Sequence, residues 1–364
     1  MSRRSSRHPF LAFAGGSLLS FALVACSSTP PVASGAPQAG GSASVAPSVG
    51  SAAPSTDTES PAPSRSAAAP SSSPASTAAP AVWSKPETVP GLDGCVSAVL
   101  AVDDSGSIHI AADCRHGDLS EIRYAVSAGG AWTTDVLPVP AHRLERLPQL
   151  AFSGSTLYLA YTRLAPVDGG CGADGLQDVG VYVRSRSLPN GTWSDARLIG
   201  VDRDELESFR VSNGMLYATV ANEKDGRTYF ETGPVEGAVA HRVQLPNVAG
   251  ATSLRVGDDG VARVAFEGAS GLQFGTVDAN AALTKPVPGT SGGWAPSLVL
   301  SPGNNASLLW SLSYHGAGCA SPDPSPADGT YFSTNVGGAW QTQRISKMVG
   351  ESSLTVDPAS GDVH

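Results

Sequence analysis

Residues 253–260 read SLRVGDDG, and the reading of those eight residues decides the fold. A serine, an alternation of apolar and polar positions and a turn closed by glycine describe an inner strand entering a tight hairpin. The phrase returns at 97–106 (SAVLAVDDSG), 148–154 (PQLAFSG), 208–214 (SFRVSNG), 297–303 (SLVLSPG) and 353–361 (SLTVDPASG). Anchored on Leu100, Leu150, Phe209, Leu254, Leu298 and Leu354, the copies lie 50, 59, 45, 44 and 56 residues apart. A second apolar run follows the turn at 108–110, 157–159, 216–218, 262–264 and 308–310, and a third at 122–126, 179–183, 228–230, 272–277 and 330–332. At 130–132, 191–193 and 338–340 a Gly-x-Trp turn opens a fourth strand.

Four strands per repeat, repeated, predict an all-β propeller: one such sheet cannot cover its own two faces, so blades stack and bury each other. A string of β-sandwich domains would not explain so short a repeat. No window carries the i, i+3, i+4, i+7 apolar spacing of an amphipathic helix. Six anchors predict six blades, the last incomplete, because Asp362-Val363-His364 aligns only with the start of a second strand at Ser107-Ile108-His109. Residues 82–91 (VWSKPETVPG) read as a fourth strand without a blade of its own. Propellers close by joining strands from both ends, since an unpaired edge exposes backbone donors and acceptors. The sixth blade would then lack its third strand, and the expectation is a C-terminally truncated propeller domain over 83–364.

Upstream the composition changes. Residues 27–82 are almost entirely Ser, Ala, Pro, Gly, Thr and Val, with no aromatic residue and only Asp57, Glu59 and Arg65 charged. Such a segment cannot bury enough apolar surface to offset chain entropy, and is expected to be a disordered tether. As a flexible coil its reach is roughly 40–45 Å. Net charge is −9, and the only basic cluster, Arg3, Arg4 and Arg7, sits at the N-terminus. That argues against a nucleic-acid partner, which needs clustered Lys and Arg to displace counterions.

The first 25 residues are built as an export signal: Arg3, Arg4, Arg7 and His8 precede an apolar stretch from 10 to 24 too short to span a bilayer comfortably. It ends in Leu23-Val24-Ala25-Cys26, which resembles the lipobox of bacterial lipoproteins. The resemblance implies cleavage before Cys26, a diacylglyceryl chain on its thiol, and an exported protein anchored to a membrane through lipid. Ser27 in place of Asp implies, by the same resemblance, outer-membrane or cell-surface sorting.

The turns at 127–132 (SAGGAW) and 335–340 (NVGGAW) resemble degenerate Asp-box turns of sialidase-like propellers, also called BNR repeats. In that motif a hairpin pins the third strand to the fourth. Gly and Trp are kept here and the Asp is absent. Sialidases need three arginines gripping a carboxylate, a Tyr/Glu nucleophile pair, an Asp acid and a Phe/Tyr-Arg-Ile-Pro tetrapeptide, which this sequence lacks. Gly-x-Ser-x-Gly and His-Glu-x-x-His are also absent, and the histidines have no metal-ligand spacing. No catalytic residue, metal or cofactor is therefore assigned, and His109 is read as a packed strand residue.

The loops joining second to third strands, and fourth strands to the next inner strand, share one end of a propeller. Long insertions at 166–178 and 316–329 fall there, with Arg146, Arg163, Trp294, Tyr314 and His315 as the candidate ligand face. Aromatic and polar groups around a depression suit a glycan or protein ligand. The function expected is a binding or scaffold module. The alternatives are a sialidase-like hydrolase or lyase acting on glycans, and an envelope-structural propeller without a small ligand.

Four cysteines remain beyond Cys26, an even number in an exported chain. A four-residue loop at 103–106 would oppose Leu100 to His109 and so Cys95 to Cys114, within disulfide reach. Cys171 and Cys319, in equivalent long loops of the second and fifth repeats, form the second pair by elimination.

Overall fold

The computed structural model describes residues 87–116, 119–141, 143–166, 176–313, 325–350, 353–357 and 361–364. Twenty strands form five four-stranded antiparallel sheets. Blade 1 holds β1 (Cys95–Val102), β2 (Ile108–His116), β3 (Leu119–Ala128) and β4 (Ala131–Val136). Blade 2 holds β5 (Leu144–Ser153), β6 (Thr156–Pro166), β7 (Leu176–Ser187) and β8 (Arg197–Ile199). Blade 3 holds β9 (Asp204–Ser212), β10 (Met215–Asn222), β11 (Arg227–Pro234) and β12 (His241–Gln244). Blade 4 holds β13 (Val248–Val256), β14 (Ala262–Gly268), β15 (Gly271–Val277) and β16 (Ala282–Pro286). Blade 5 holds β17 (Gly293–Ser301), β18 (Asn305–Leu312), β19 (Gly329–Thr334) and β20 (Gln341–Ser346). Every blade is a meander, and inner strands touch in the order β1, β5, β9, β13, β17.

The serine that opens the repeated phrase joins one blade to the next. Leu254 N–H donates to Ser208 Oγ at 3.2 Å, Leu298 N–H to Ser253 Oγ at 3.0 Å, and Leu354 N–H to Ser297 Oγ at 3.1 Å. Strand alternation turns serine toward the following blade and leucine toward the preceding one. Four apolar clusters fill the four seams; Leu254, for example, packs with Phe230 of blade 3. The hairpin turn at Asn213-Gly214 needs two left-handed residues, with φ of 51° and 72°, which explains Asn-Gly there.

Two of the three Gly-x-Trp tryptophans tie blades rather than strands. Trp193 of blade 2 meets Tyr124 of blade 1 edge-on at 5.1 Å, and Trp340 of blade 5 meets Phe274 of blade 4 at 5.4 Å. Trp132, in the first blade, instead donates to Glu87 Oε1 at 3.2 Å.

Among the described residues, five four-stranded blades stand where six were expected with the last incomplete. The sixth phrase supplies a single bridge, Val356 to Val363, with Thr355 and His364 exchanging backbone bonds. An inner-strand phrase marks one strand and its turn, not a whole sheet. Of the stretch read as a fourth strand, 82–86 lie outside the described residues, and 87–91 carry no strand, held against blade 1 by Thr134 Oγ1 on Pro90 O and Arg123 on Gly91 O. Among the described residues no apolar cluster packs on the Leu100 side of blade 1, and Leu100 is 63% exposed, whereas its counterparts Leu150, Phe209, Leu254 and Leu298 are at most 8% exposed.

Cys95 and Cys114 are disulfide-bonded, but through a different register. The hairpin pairs Val102 with Ile108 and Leu100 with Ile110, one residue off the expected alignment, because Asp103 receives backbone bonds across a five-residue turn. A bulge between Cys95 and Ser97 absorbs the offset and restores the cysteine pair. Cys114→Ala is expected to cost about 3 kcal/mol, from the lost cross-link over a short loop. Urea denaturation checks this, and an unchanged midpoint would contradict it.

Candidate functional site

The candidate end of the domain gathers the starts of inner strands and the ends of second strands. Two candidates reach it by the same device. Arg146-Leu147-Pro148 and Trp294-Ala295-Pro296 both open an inner strand, with Leu147 at φ 55° and Ala295 at φ 48°. Each left-handed residue sits in a ladder irregularity, between Arg146 and Gln149 and between Trp294 and Ser297. Such conformations cost a non-glycine residue energy and re-aim the neighbouring side chain. The shared X-Pro pair was the signal for this in the sequence.

Arg146 is about a third exposed, its Nε 3.8 Å from Asp113 Oδ2. Asp113 is buried and accepts from Ser120 Oγ at 2.5 Å. Burial raises the Asp113 carboxyl above its ordinary range, against the Ser120 bond and the Arg146 charge. Trp294 is half-buried, and its Nε1 donates to Ser313 Oγ at 3.1 Å.

Arg163 is placed differently from a ligand-gripping arginine. It is directly opposite Glu145 in the β5–β6 ladder. Its Nη2 donates to Glu145 Oε1 at 2.6 Å, and its guanidinium lies 3.8 Å from the centre of the Tyr182 ring. Tyr161 Oη accepts from both Arg163 and Arg184 at 3.3 and 3.1 Å. Burial raises both the Glu145 carboxyl and the Tyr161 phenol, the latter to about 12, so the phenol stays protonated. Arg163 is a buried structural cation.

Sequence reasoning missed a second cluster of the same kind in blade 3. Arg242 donates to Asp204 Oδ2 at 2.7 Å, to Asp204 Oδ1 at 2.9 Å and to Glu231, with its guanidinium 3.9 Å from the centre of the Tyr229 ring. Asn222 Nδ2 and Val201 N–H complete Asp204, each at 2.8 Å. Asp204 and Glu231 are fully buried, and Glu231 Oε2 has no hydrogen-bond partner. Burial, then the neighbouring Asp204, pushes Glu231 up to about 7.

His109 is buried between Tyr124 Oη at 2.5 Å and Asp103 Oδ2 at 3.1 Å, with Phe152 edge-on at 5.2 Å. Tyr314, His315, Cys171 and Cys319 lie outside the described residues. Among the described residues, no group of three or more His, Cys, Asp or Glu could hold a metal ion. No helix among them is long and apolar enough to cross a membrane.

The strand pairing defines the class: an all-β propeller of four-stranded blades. Solved structures it resembles include a Trypanosoma rangeli sialidase in complex with the inhibitor DANA, at 12% identity and a TM-score of 0.48. That match covers 73% of this chain and 51% of the sialidase, so the chain spans about half the sialidase's length. The polysaccharide lyase Uly1 matches at 8% identity and a TM-score of 0.43, over 68% of this chain and 58% of the lyase. The α-L-arabinofuranosidase PaAbf62A from Podospora anserina, in complex with cellotriose, matches at 10% identity and a TM-score of 0.40, over 63% of this chain and 89% of that enzyme. No protein-family model matches the sequence, and no curated protein matches it significantly.

Proposed function

We propose that the chain is an exported lipoprotein, anchored by a lipid on Cys26, whose propeller serves as a binding or scaffold module for a glycan or protein ligand. The observation that carries the binding reading is the matched presentation of Arg146 and Trp294 by left-handed, proline-backed bulges at the starts of two inner strands. Backbone strain is kept where it positions a side chain for contact. An open guanidinium and a half-buried indole suit the polar and stacking contacts of a sugar or a peptide.

Once a ligand is found on a glycan array or by co-purification, Arg146→Ala and Trp294→Ala should each weaken it by about 1–2 kcal/mol, roughly 5- to 30-fold. Unchanged affinity in both variants would remove this face from the account. Cys26→Ala should release the protein from carbonate-washed membranes. Its recovery there at the wild-type level would contradict the lipid anchor.

The second reading is a glycan-acting hydrolase or lyase. One feature favours it: a carboxyl raised by burial, Asp113, lies beside the partly open Arg146, and perturbed acids mark reaction sites more often than chance. The test is product release from sialoside and polysaccharide substrates.

A further inference from the structure

A cavity of about 170 Å³ lies where blades 4 and 5 meet residues 354–356. Arg255, Val256, Leu300, Leu354, Thr355 and Val356 line it. Arg255 Nη1 donates at 2.8 Å to the carbonyl of Leu254, its own strand neighbour. Arg163 is answered by the Glu145 carboxylate and Arg242 by Asp204 and Glu231, while Arg184 is held by Tyr161 Oη and the carbonyls of Ser194 and Pro138. Among the described residues Arg255 has no acidic partner, and burial alone lowers it, to about 10, which leaves it charged at neutral pH. A half-buried cation without a counter-charge is disfavoured, and an anion would answer it.

The backbone supplies further donors. Residues whose amides face the ladder alternate with residues whose amides face away. Gly257 N–H bonds Val261 O on the β14 side, so Val256 N–H points off the free edge of β13. Ser301 O accepts Asn304 N–H on the β18 side, so Leu300 N–H points off the free edge of β17. Thr355 and Asp357 bond His364 and Asp362, so Val356 N–H points off the free edge of that pairing. These positions lie two residues beyond Leu254, Leu298 and Leu354, whose amides are already taken by the serine hydroxyls. Three consecutive inner edges thus each carry a free-edge amide at a residue that lines the cavity beside Arg255.

We propose that this cavity is a binding site for a small oxyanion, a sulfate or phosphate group, held by the Arg255 guanidinium and the inner-edge amides of Val256, Leu300 and Val356. Charge-assisted bonds from a guanidinium and convergent backbone N–H groups are the usual means of holding such groups. The site is separate from the Arg146 and Trp294 face, since Arg255 and Val256 lie at the opposite ends of their strands. The group could come as the free ion or as a substituent on a sugar.

The test is calorimetric titration of the full chain with sodium sulfate, with sodium phosphate and with a sulfated disaccharide, all at fixed ionic strength. Saturable binding of one ion or one disaccharide per chain is expected. Arg255→Met, which removes the charge and keeps an unbranched side chain, should weaken it roughly tenfold or more. Arg255→Lys should retain weaker binding, and Arg210→Met, one inner strand away, should leave it unchanged. Binding of the free ions assigns the site to them, and binding of the disaccharide alone assigns it to a sulfated glycan. No saturable binding by the wild type, or wild-type affinity in a folded Arg255→Met or Arg255→Lys protein, would overturn the proposal.

Discussion

Arg242→Met is expected to destabilise the propeller by about 3–5 kcal/mol, because it strands two fully buried carboxylates without a counter-charge. Urea denaturation should show the loss directly, and a midpoint within the range of a surface substitution would contradict it. The same cluster sets a pH dependence. Glu231 titrates at about 7 in the fold against an ordinary 4.5, so the folded chain binds more protons than the unfolded one between those values. Its stabilising contribution is complete below about pH 4.5 and declines as the pH rises to about 7, by roughly 3 kcal/mol. Glu231→Gln, which keeps the shape and removes the titration, should flatten that part of the profile.

Trp310→Ala is expected to cost about 3–5 kcal/mol. Trp310 is almost fully buried, stacks on Tyr331 with ring centres 4.6 Å apart, and donates through Nε1 to Ser333 Oγ at 2.9 Å. Removing it leaves a void in the seam of blades 4 and 5, with Ser333 Oγ held only by Thr342 Oγ1. The fit is close on the other side too: a Cβ on Gly293 would stand 2.6 Å from the indole. Gly293→Ala should therefore also destabilise, since neither the ring nor the backbone can yield cheaply. A Trp310→Ala protein melting within a degree or two of wild type would show that blade 5 is loosely packed.

The repeated phrase made the strands legible because every copy carries its own turn signal, and Ser253-Leu254 or Ser297-Leu298 declares which side chain faces which neighbour. It could not declare blade number, since Ser353-Leu354 forms the same inter-blade bond as its predecessors without the outer strands of a sheet. The cysteine pair emerged from a register that the Asp103 turn shifts by one residue and the Cys95 bulge shifts back. Arg163 read as a candidate ligand because its cross-strand partner Glu145 is only identified once the bulge at Leu147 fixes the ladder. Asp204, Glu231 and Arg242 come from three strands of blade 3, and no short motif unites them.

The central claim is that the Arg146 and Trp294 face binds a ligand and leaves it intact. The direct measurement is to hold the full chain with an oligosaccharide it retains on an array and follow both complex and ligand by mass spectrometry. Saturable binding is predicted, with the ligand recovered uncleaved over many complex lifetimes and the complex lost in Arg146→Ala. Steady release of a shortened or unsaturated product, absent in Arg146→Ala, would contradict the account and make the propeller an enzyme.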